Sequence, residues 1–131
     1  ARSYLANSNG SIICISSICG SQVIEGAPTT YTVAKAALNT YVKSISKPLS
    51  NDGIRINAIS PGNILFKGST WERKLKDDPK FVKEMLNKNV PLKRFGDPSE
   101  IANLALYLSS DNAKFVTGSV WRIDGGQLTS I

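Results

Sequence analysis

The chain has 131 residues, 41% of them hydrophobic and 20% charged, which is enough for one packed soluble domain and too few for two. Sixteen Lys and Arg against ten Asp and Glu leave a net charge of +6, so an acidic partner, nucleic acid included, has to be weighed. Histidine is absent, which excludes Ser-His-Asp and Cys-His catalysis, histidine-based zinc sites and any imidazole base. Cys14 and Cys19 are too few for a disulfide framework or a four-thiolate zinc site, so no metal site is expected and a reducing, cytoplasmic setting fits. No apolar stretch approaches the ~20 residues of a membrane span, and Ala1 to Leu5 lack the basic-then-apolar layout of a signal peptide.

A short polar lead ends at Gly10. Ser11 to Ser16 is a continuous, β-branched apolar run that predicts a strand buried on both faces. After a loop with Gly20, Gly26 and Pro28, apolar residues recur at Ala34, Ala37, Leu38, Tyr41, Val42, Ile45 and Leu49, the rhythm of a helix packed along one stripe. Pro48 and Gly53 are expected to end it. Ile54 to Ser60 reads as a second strand closed by Pro61-Gly62, the proline lacking an N–H and the glycine permitting positive φ.

Residues 67–94 differ in character, with nine Lys or Arg, four acids, and Trp71, Leu75, Phe81, Val82, Met85 and Leu86 interleaved. One or two short amphipathic helices outside the core are expected. Their lysines and acids alternate as on a solvated helix face, which argues against nucleic-acid binding. Asp97-Pro98-Ser99-Glu100 is a helix start with an N-cap acid, a first-position proline and a Glu at the third position, followed by Ile101, Leu104, Ala105 and Leu108 on one stripe. A turn at Thr117-Gly118 leads into a third strand, Ser119 to Ile123, ended by Asp124-Gly125-Gly126. Strands alternating with crossover helices predict an α/β fold with a parallel sheet. The first strand is too apolar for a solvent-facing edge, so a covering element is expected beyond it.

Tyr31 and Lys35 lie four apart at the start of the first long helix, one turn from each other on one face. Ser16 and Ser17 stand where the first strand ends, and doubly wound folds place reacting groups at the carboxyl ends of their strands. A phenol beside an ammonium can exchange a proton with an alcohol or carbonyl oxygen that a serine hydroxyl holds. Hydride would have to come from a cofactor, since no side chain supplies it. The Tyr-Lys spacing alone is weak, and taken by itself a helix-capping Tyr31 with a solvated Lys35 is the better explanation of it.

The segments Gly10 to Gly20 and Tyr31-Thr32-Val33-Ala34-Lys35-Ala36-Ala37-Leu38 resemble the catalytic region of the short-chain dehydrogenases/reductases. Arg55 to Gly62, Pro91 to Ala102, and Thr117-Gly118 through Asp124-Gly125-Gly126 resemble later signatures of that family in the same order. The resemblance implies a partial Rossmann-like, doubly wound sheet and an NAD(P)-dependent interconversion of a secondary alcohol and a ketone. By it, Tyr31 is the catalytic acid/base, Lys35 assists it and binds the nicotinamide ribose, and Ser17 orients the substrate oxygen, with Ser16 as the alternative. Pro61, Gly62 and the backbone of Ile64 would meet the nicotinamide end of NAD or NADP. Residues 63–94 would cover a small-molecule alcohol or ketone, with Phe66 and Trp71 as lining residues. The family commonly forms dimers and tetramers, so a homo-oligomer is expected, with Tyr41, Val42, Val120, Trp121 and Ile123 as surplus apolar surface.

The chain departs from the family in several places. Its ten glycines include no glycine-rich phosphate turn, and neither an Asn-Asn-Ala-Gly segment nor the family's helical catalytic Asn is present. The resemblance therefore covers the second half of a domain roughly twice this length, without the half that grips the pyrophosphate. The chain alone is expected to be inactive, and a non-catalytic fragment is the rival reading. Phe66 stands where many members place a cofactor-binding Thr, and the Ser17 to Tyr31 separation is one residue longer than usual.

Overall fold

The computed structural model describes residues 2–129. Its elements are α1 (Arg2–Asn7), β1 (Ser11–Ile15), α2 (Thr29–Ser50), β2 (Arg55–Pro61), α3 (Thr70–Asp77), α4 (Pro79–Asn89), α5 (Pro98–Ser109) and β3 (Val120–Ile123), with short 3-10 turns at Ile18–Gly20 and Asp111–Ala113. Among the described residues the sheet has three parallel strands in the order β1-β2-β3, with Ile12 opposite Ile56, Ile15 opposite Ile59 and Ala58 opposite Val120. This is the α/β fold with a parallel sheet and crossover helices that the alternation of elements predicts, and it agrees with the partial Rossmann-like sheet that the resemblance implies.

The central strand β2 is buried through its middle, and its alternate residues serve two faces. Ile54, Ile56 and Ala58 join Val42 and Leu49 of α2 in the main core, with Leu5, Ala6, Ile12, Cys14, Leu38 and Ile45 packed around them. The opposite face meets α5: Ser11 Oγ donates to Leu108 O at 3.3 Å and Arg55 Nη1 donates to the same carbonyl at 2.7 Å. Asn57 is a polar residue at 0% exposure, and its amide is used at both ends. Its Nδ2 donates to Val116 O at 2.9 Å and its Oδ1 accepts from Ser119 N at 3.2 Å, which fastens the segment leading into β3.

Several sequence expectations change. The polar lead contains α1, held by Leu5 and Ala6 in the core and by an Arg2–Asp52 ion pair. A six-residue helix is set by such tertiary contacts rather than by its own periodicity. On α2, the sheet-facing stripe is Lys35, Leu38, Asn39, Val42, Ile45, Ser46 and Leu49, whereas Ala34, Ala37 and Tyr41 face outward. Val42 is fully buried, so it is core and not surplus surface. The helix also runs past Pro48 to Ser50, because in the last turn a proline forfeits a single bond. Pro61 ends β2 from inside the strand, and Gly62 carries the ladder one step further by donating to Ile123 O at 3.0 Å. Gly62 is not among the positive-φ residues; it is needed because a Cβ there would lie 2.8 Å from Asp124 Cα.

The 67–94 segment holds two helices, each with its own start. Ser69 Oγ accepts from Glu72 N at 3.0 Å to cap α3, and Asp78 Oδ1 accepts from Phe81 N at 2.9 Å to cap α4. α5 begins as its sequence predicts, with Asp97 capping Ser99 N and Glu100 reaching back to Asp97 N. β1 stands at one edge of the sheet among the described residues, and Ile15 at its end is 49% exposed.

Candidate active site

β1 delivers Ser16 and Ser17 to the carboxyl edge of the sheet, where Ser16 N still donates to Ile59 O at 2.7 Å. The two serines then diverge. Ser16 Oγ is committed inward, donating to Asn39 Oδ1 at 2.6 Å, with Lys35 O at 3.4 Å. Ser17 has extended backbone, and its Oγ caps the following 3-10 turn by accepting from Cys19 N at 3.2 Å. An accepting hydroxyl keeps its own proton free to donate. Of the two, Ser17 is therefore the one able to hold a substrate oxygen.

Tyr31 occupies the first turn of α2 and is 43% exposed. Lys35 Nζ lies 5.5 Å from the centroid of the Tyr31 ring and donates to Ile15 O at 2.8 Å. The lysine thus sits behind the tyrosine, fixed to the last residue of β1.

Two clefts meet at this point. The first, about 700 Å³, is mainly apolar and includes Ile15, Pro61, Ile64, Phe66, Ile101 and Ala105. The second, about 480 Å³, is more polar and includes Glu25, Asn63, Lys74, Met85, Asn89 and Gln127. Ser17, Tyr31, Gly62, Thr70 and Trp71 line both, so the candidate proton-transfer pair stands on the ridge between them. Phe66 faces only the apolar cleft, beside Pro61 and Ile64. Trp71 is held by the Phe95 ring, with centroids 5.4 Å apart, and by Lys74 Nζ 4.8 Å above it.

The apolar cleft fits the group expected there. Pro61, Gly62 and Ile64 line it side by side, an apolar stretch that suits a nicotinamide ring, and Gly62 has no room for a side chain. Sequence reasoning missed Asn39, Thr70, Lys74 and Gln127. Asn39 carried one signal, its place one turn beyond Lys35 on the same face. The others reach the clefts through tertiary folding alone. Burial pushes the Cys14 thiol up, and both cysteines are free. Among the described residues no cluster of His, Cys, Asp and Glu could hold a metal, and no helix is long and apolar enough to cross a membrane.

Residues 1–127 match the family model described as enoyl-(acyl carrier protein) reductase. Isoepoxydon dehydrogenase of Penicillium expansum is 44% identical over 127 residues, covering 96% of this chain and 49% of its own. The 3-oxoacyl-[acyl-carrier-protein] reductase of Chlamydia trachomatis is 41% identical over 120 residues, covering 90% of this chain and 45% of its own. L-sorbose reductase of Gluconobacter frateurii, solved with NADPH and L-sorbose, superposes with a TM-score of 0.88 at 31% identity over 99% of this chain and 52% of its own. The chain therefore spans about half the length of the curated relatives it matches, 49% and 45% for the two named. With the family model matched over nearly its whole length and the fold shared with solved members, the chain belongs to the short-chain dehydrogenase/reductase family.

Proposed function

We propose that this chain is the catalytic half of an NAD(P)-dependent oxidoreductase that interconverts a secondary alcohol and a ketone. The observation that carries the reading is the ridge: Ser17 and Tyr31 border both clefts, with the Lys35 ammonium 5.5 Å from the Tyr31 ring. In reduction, Ser17 Oγ donates a hydrogen bond to the carbonyl oxygen, and Tyr31 Oη delivers its proton to that oxygen as the carbon is reduced. In oxidation Tyr31 takes the proton back. A bound nicotinamide dinucleotide supplies or accepts the hydride at the carbon. Tyr31, Lys35, Pro61, Gly62 and Ile64 hold its nicotinamide end, and Lys35 retains donors beyond the one given to Ile15 O for ribose hydroxyls.

Solved relatives support a nicotinamide cofactor of either kind, one with NADPH and 4-hydroxyisoleucine dehydrogenase with NADH. The substrate occupies the polar cleft with Trp71 over it, and residues 63–94 cover it. A cytoplasmic setting and a homo-oligomer, tetramer or dimer, complete the proposal. The test is Tyr31→Phe in the complete enzyme that carries this chain. It keeps the ring and removes the transferable proton, so turnover should fall about a hundredfold to ten-thousandfold. Near-wild-type turnover would remove Tyr31 from the mechanism.

A further inference from the structure

Ser17 follows β1 and Tyr31 opens α2, so their relation is set by whatever joins the end of β1 to that helix. Ser17 Oγ is bonded within its own turn, to Cys19 N, and not to α2. Its neighbours make the junction. Lys35 Nζ holds Ile15 O at 2.8 Å, and Asn39, one turn on, accepts from Ser16 Oγ at 2.6 Å and donates through Nδ2 to Ser21 Oγ at 3.4 Å. Gly20 lets the turn close onto the helix, because a Cβ there would lie 2.7 Å from the Lys35 backbone and 2.8 Å from Asn39 Nδ2. Residues on both sides of Ser17 are thus seated on one turn of α2, and the Asn39 amide spans them with an acceptor at one end and a donor at the other.

We propose that Asn39 is a positioning residue for the reaction: by holding Ser16 and Ser21 together, it fixes the turn that carries Ser17 relative to Tyr31. This rests on the reading of Ser17 and Tyr31 given above. Ser16 is 3% exposed, so water cannot readily replace the amide as its partner. Asn39 itself lines neither cleft, and its effect on chemistry runs through Ser17.

The experiment compares Asn39→Leu, Asn39→Asp and Ser17→Ala, singly and combined, in the complete enzyme. The probe is whichever of 2,3-butanedione, L-sorbose and an acetoacetyl thioester the wild type reduces fastest. Asn39→Leu should lower kcat about tenfold to a hundredfold, the scale of a misplaced catalytic group, and leave the KM for the dinucleotide unchanged. Asn39→Asp keeps the acceptor for Ser16 Oγ and should recover most of the loss. In the Ser17→Ala background Asn39→Leu should add little, because two residues acting as one unit are not additive. If Asn39→Leu does not fold, Ser16→Ala removes the other end of the same bond and carries the same expectations. A full additional loss in the Ser17→Ala background, or an Asn39→Asp as impaired as Asn39→Leu, overturns the proposal. Wild-type kcat in Asn39→Leu, with turnover lost in Tyr31→Phe and Ser17→Ala, overturns the positioning role alone. Unchanged turnover in Tyr31→Phe and Ser17→Ala overturns the catalytic reading beneath it.

Discussion

Arg94 grips Glu100 with a two-bond fork: Nη1 donates to Oε2 at 2.8 Å and Nη2 to Oε1 at 2.7 Å, while Oε2 also accepts from the Asp97 backbone at 2.8 Å. The fork joins the return from α4 to the first turn of α5, beside the point where Gly96 N donates to Asn63 O at 2.9 Å. One carboxylate thus closes the helix start and the loop that ends on a cleft wall.

Those bonds set an acid limit. The Arg94 guanidinium, and next the Asp97 N–H, pull the Glu100 carboxyl down to about 2. The unfolded value is about 4.3, so the folded form is the weaker proton binder. The contribution is therefore fully present above about pH 4.3 and is lost as pH falls toward the folded value. Glu100→Gln should flatten the fall of the thermal midpoint between about pH 4.3 and 2. A slope equal to wild type in that window would show that the fork does not couple to folding.

Gly62→Ala tests the closeness of β2 and β3 at their ends. The added Cβ would meet Asp124 Cα at 2.8 Å, and backbone cannot turn aside as a side chain can. Destabilisation of about 1 to 3 kcal/mol is expected by chemical denaturation. Wild-type stability with wild-type turnover would mean that the strand ends separate freely.

Dinucleotide affinity should be missing from the chain as given. It carries the residues proposed to meet the nicotinamide end, Pro61, Gly62 and Ile64, but no glycine-rich turn at a helix N-terminus to hold the pyrophosphate. Calorimetry at millimolar NAD or NADP should record no binding. A micromolar constant would mean that these residues cradle the phosphates in some other way.

Assembly is expected through the α5 and β3 side. Trp121 packs edge-on against Tyr107 of α5, with ring centroids 6.2 Å apart, so part of its burial comes from its own chain. Elsewhere on α5 and the segment before β3, Leu106 is 70% exposed and Phe115 fully exposed, and Val120 is 38% exposed on the face of β3 opposite Trp121, apolar side chains of the kind that subunit contacts cover. Sedimentation of the complete enzyme should give a tetramer or dimer, and Phe115→Glu should shift it toward smaller species without unfolding it. Trp121→Glu would also disturb the Tyr107 contact, so Phe115 is the cleaner site. A monomeric wild type at micromolar concentration would rule the surface out.

Much of this molecule could be read from its sequence, for identifiable reasons. β-branched runs bounded by Gly and Ser marked β1 and β2, and the Asp97-Pro98-Ser99-Glu100 start placed α5, because those signals are local. α1 was missed because Leu5 and Ala6 gain their burial from α2 and β2, far along the chain. Tyr41 is exposed as expected, but the burial of Val42 was missed, because α2 packs partly polar residues, Asn39 and Ser46, beside it against the sheet side and leaves apolar ones such as Ala34 and Ala37 outside. At the site, Tyr31, Lys35 and Ser17 were legible from spacing and resemblance. The division of space into two clefts was not, since Phe66 and Trp71 are near neighbours in sequence and only folding sends Phe66 to one cleft and Trp71 to both.

The loop between the Ser17 turn and α2 is tied at both ends: Ser21 to Asn39 at its start, and Pro28 O to Thr32 N at 3.0 Å at its finish. Between those ties Ile24 and Glu25 border the polar cleft, and most of the segment is exposed. Insertions and substitutions there can reshape what the cleft admits while Ser17 and Tyr31, the proposed proton-transfer pair, stay in register. Under the proposed function, a loop so tied could change what the cleft accepts without moving the residues that do the chemistry.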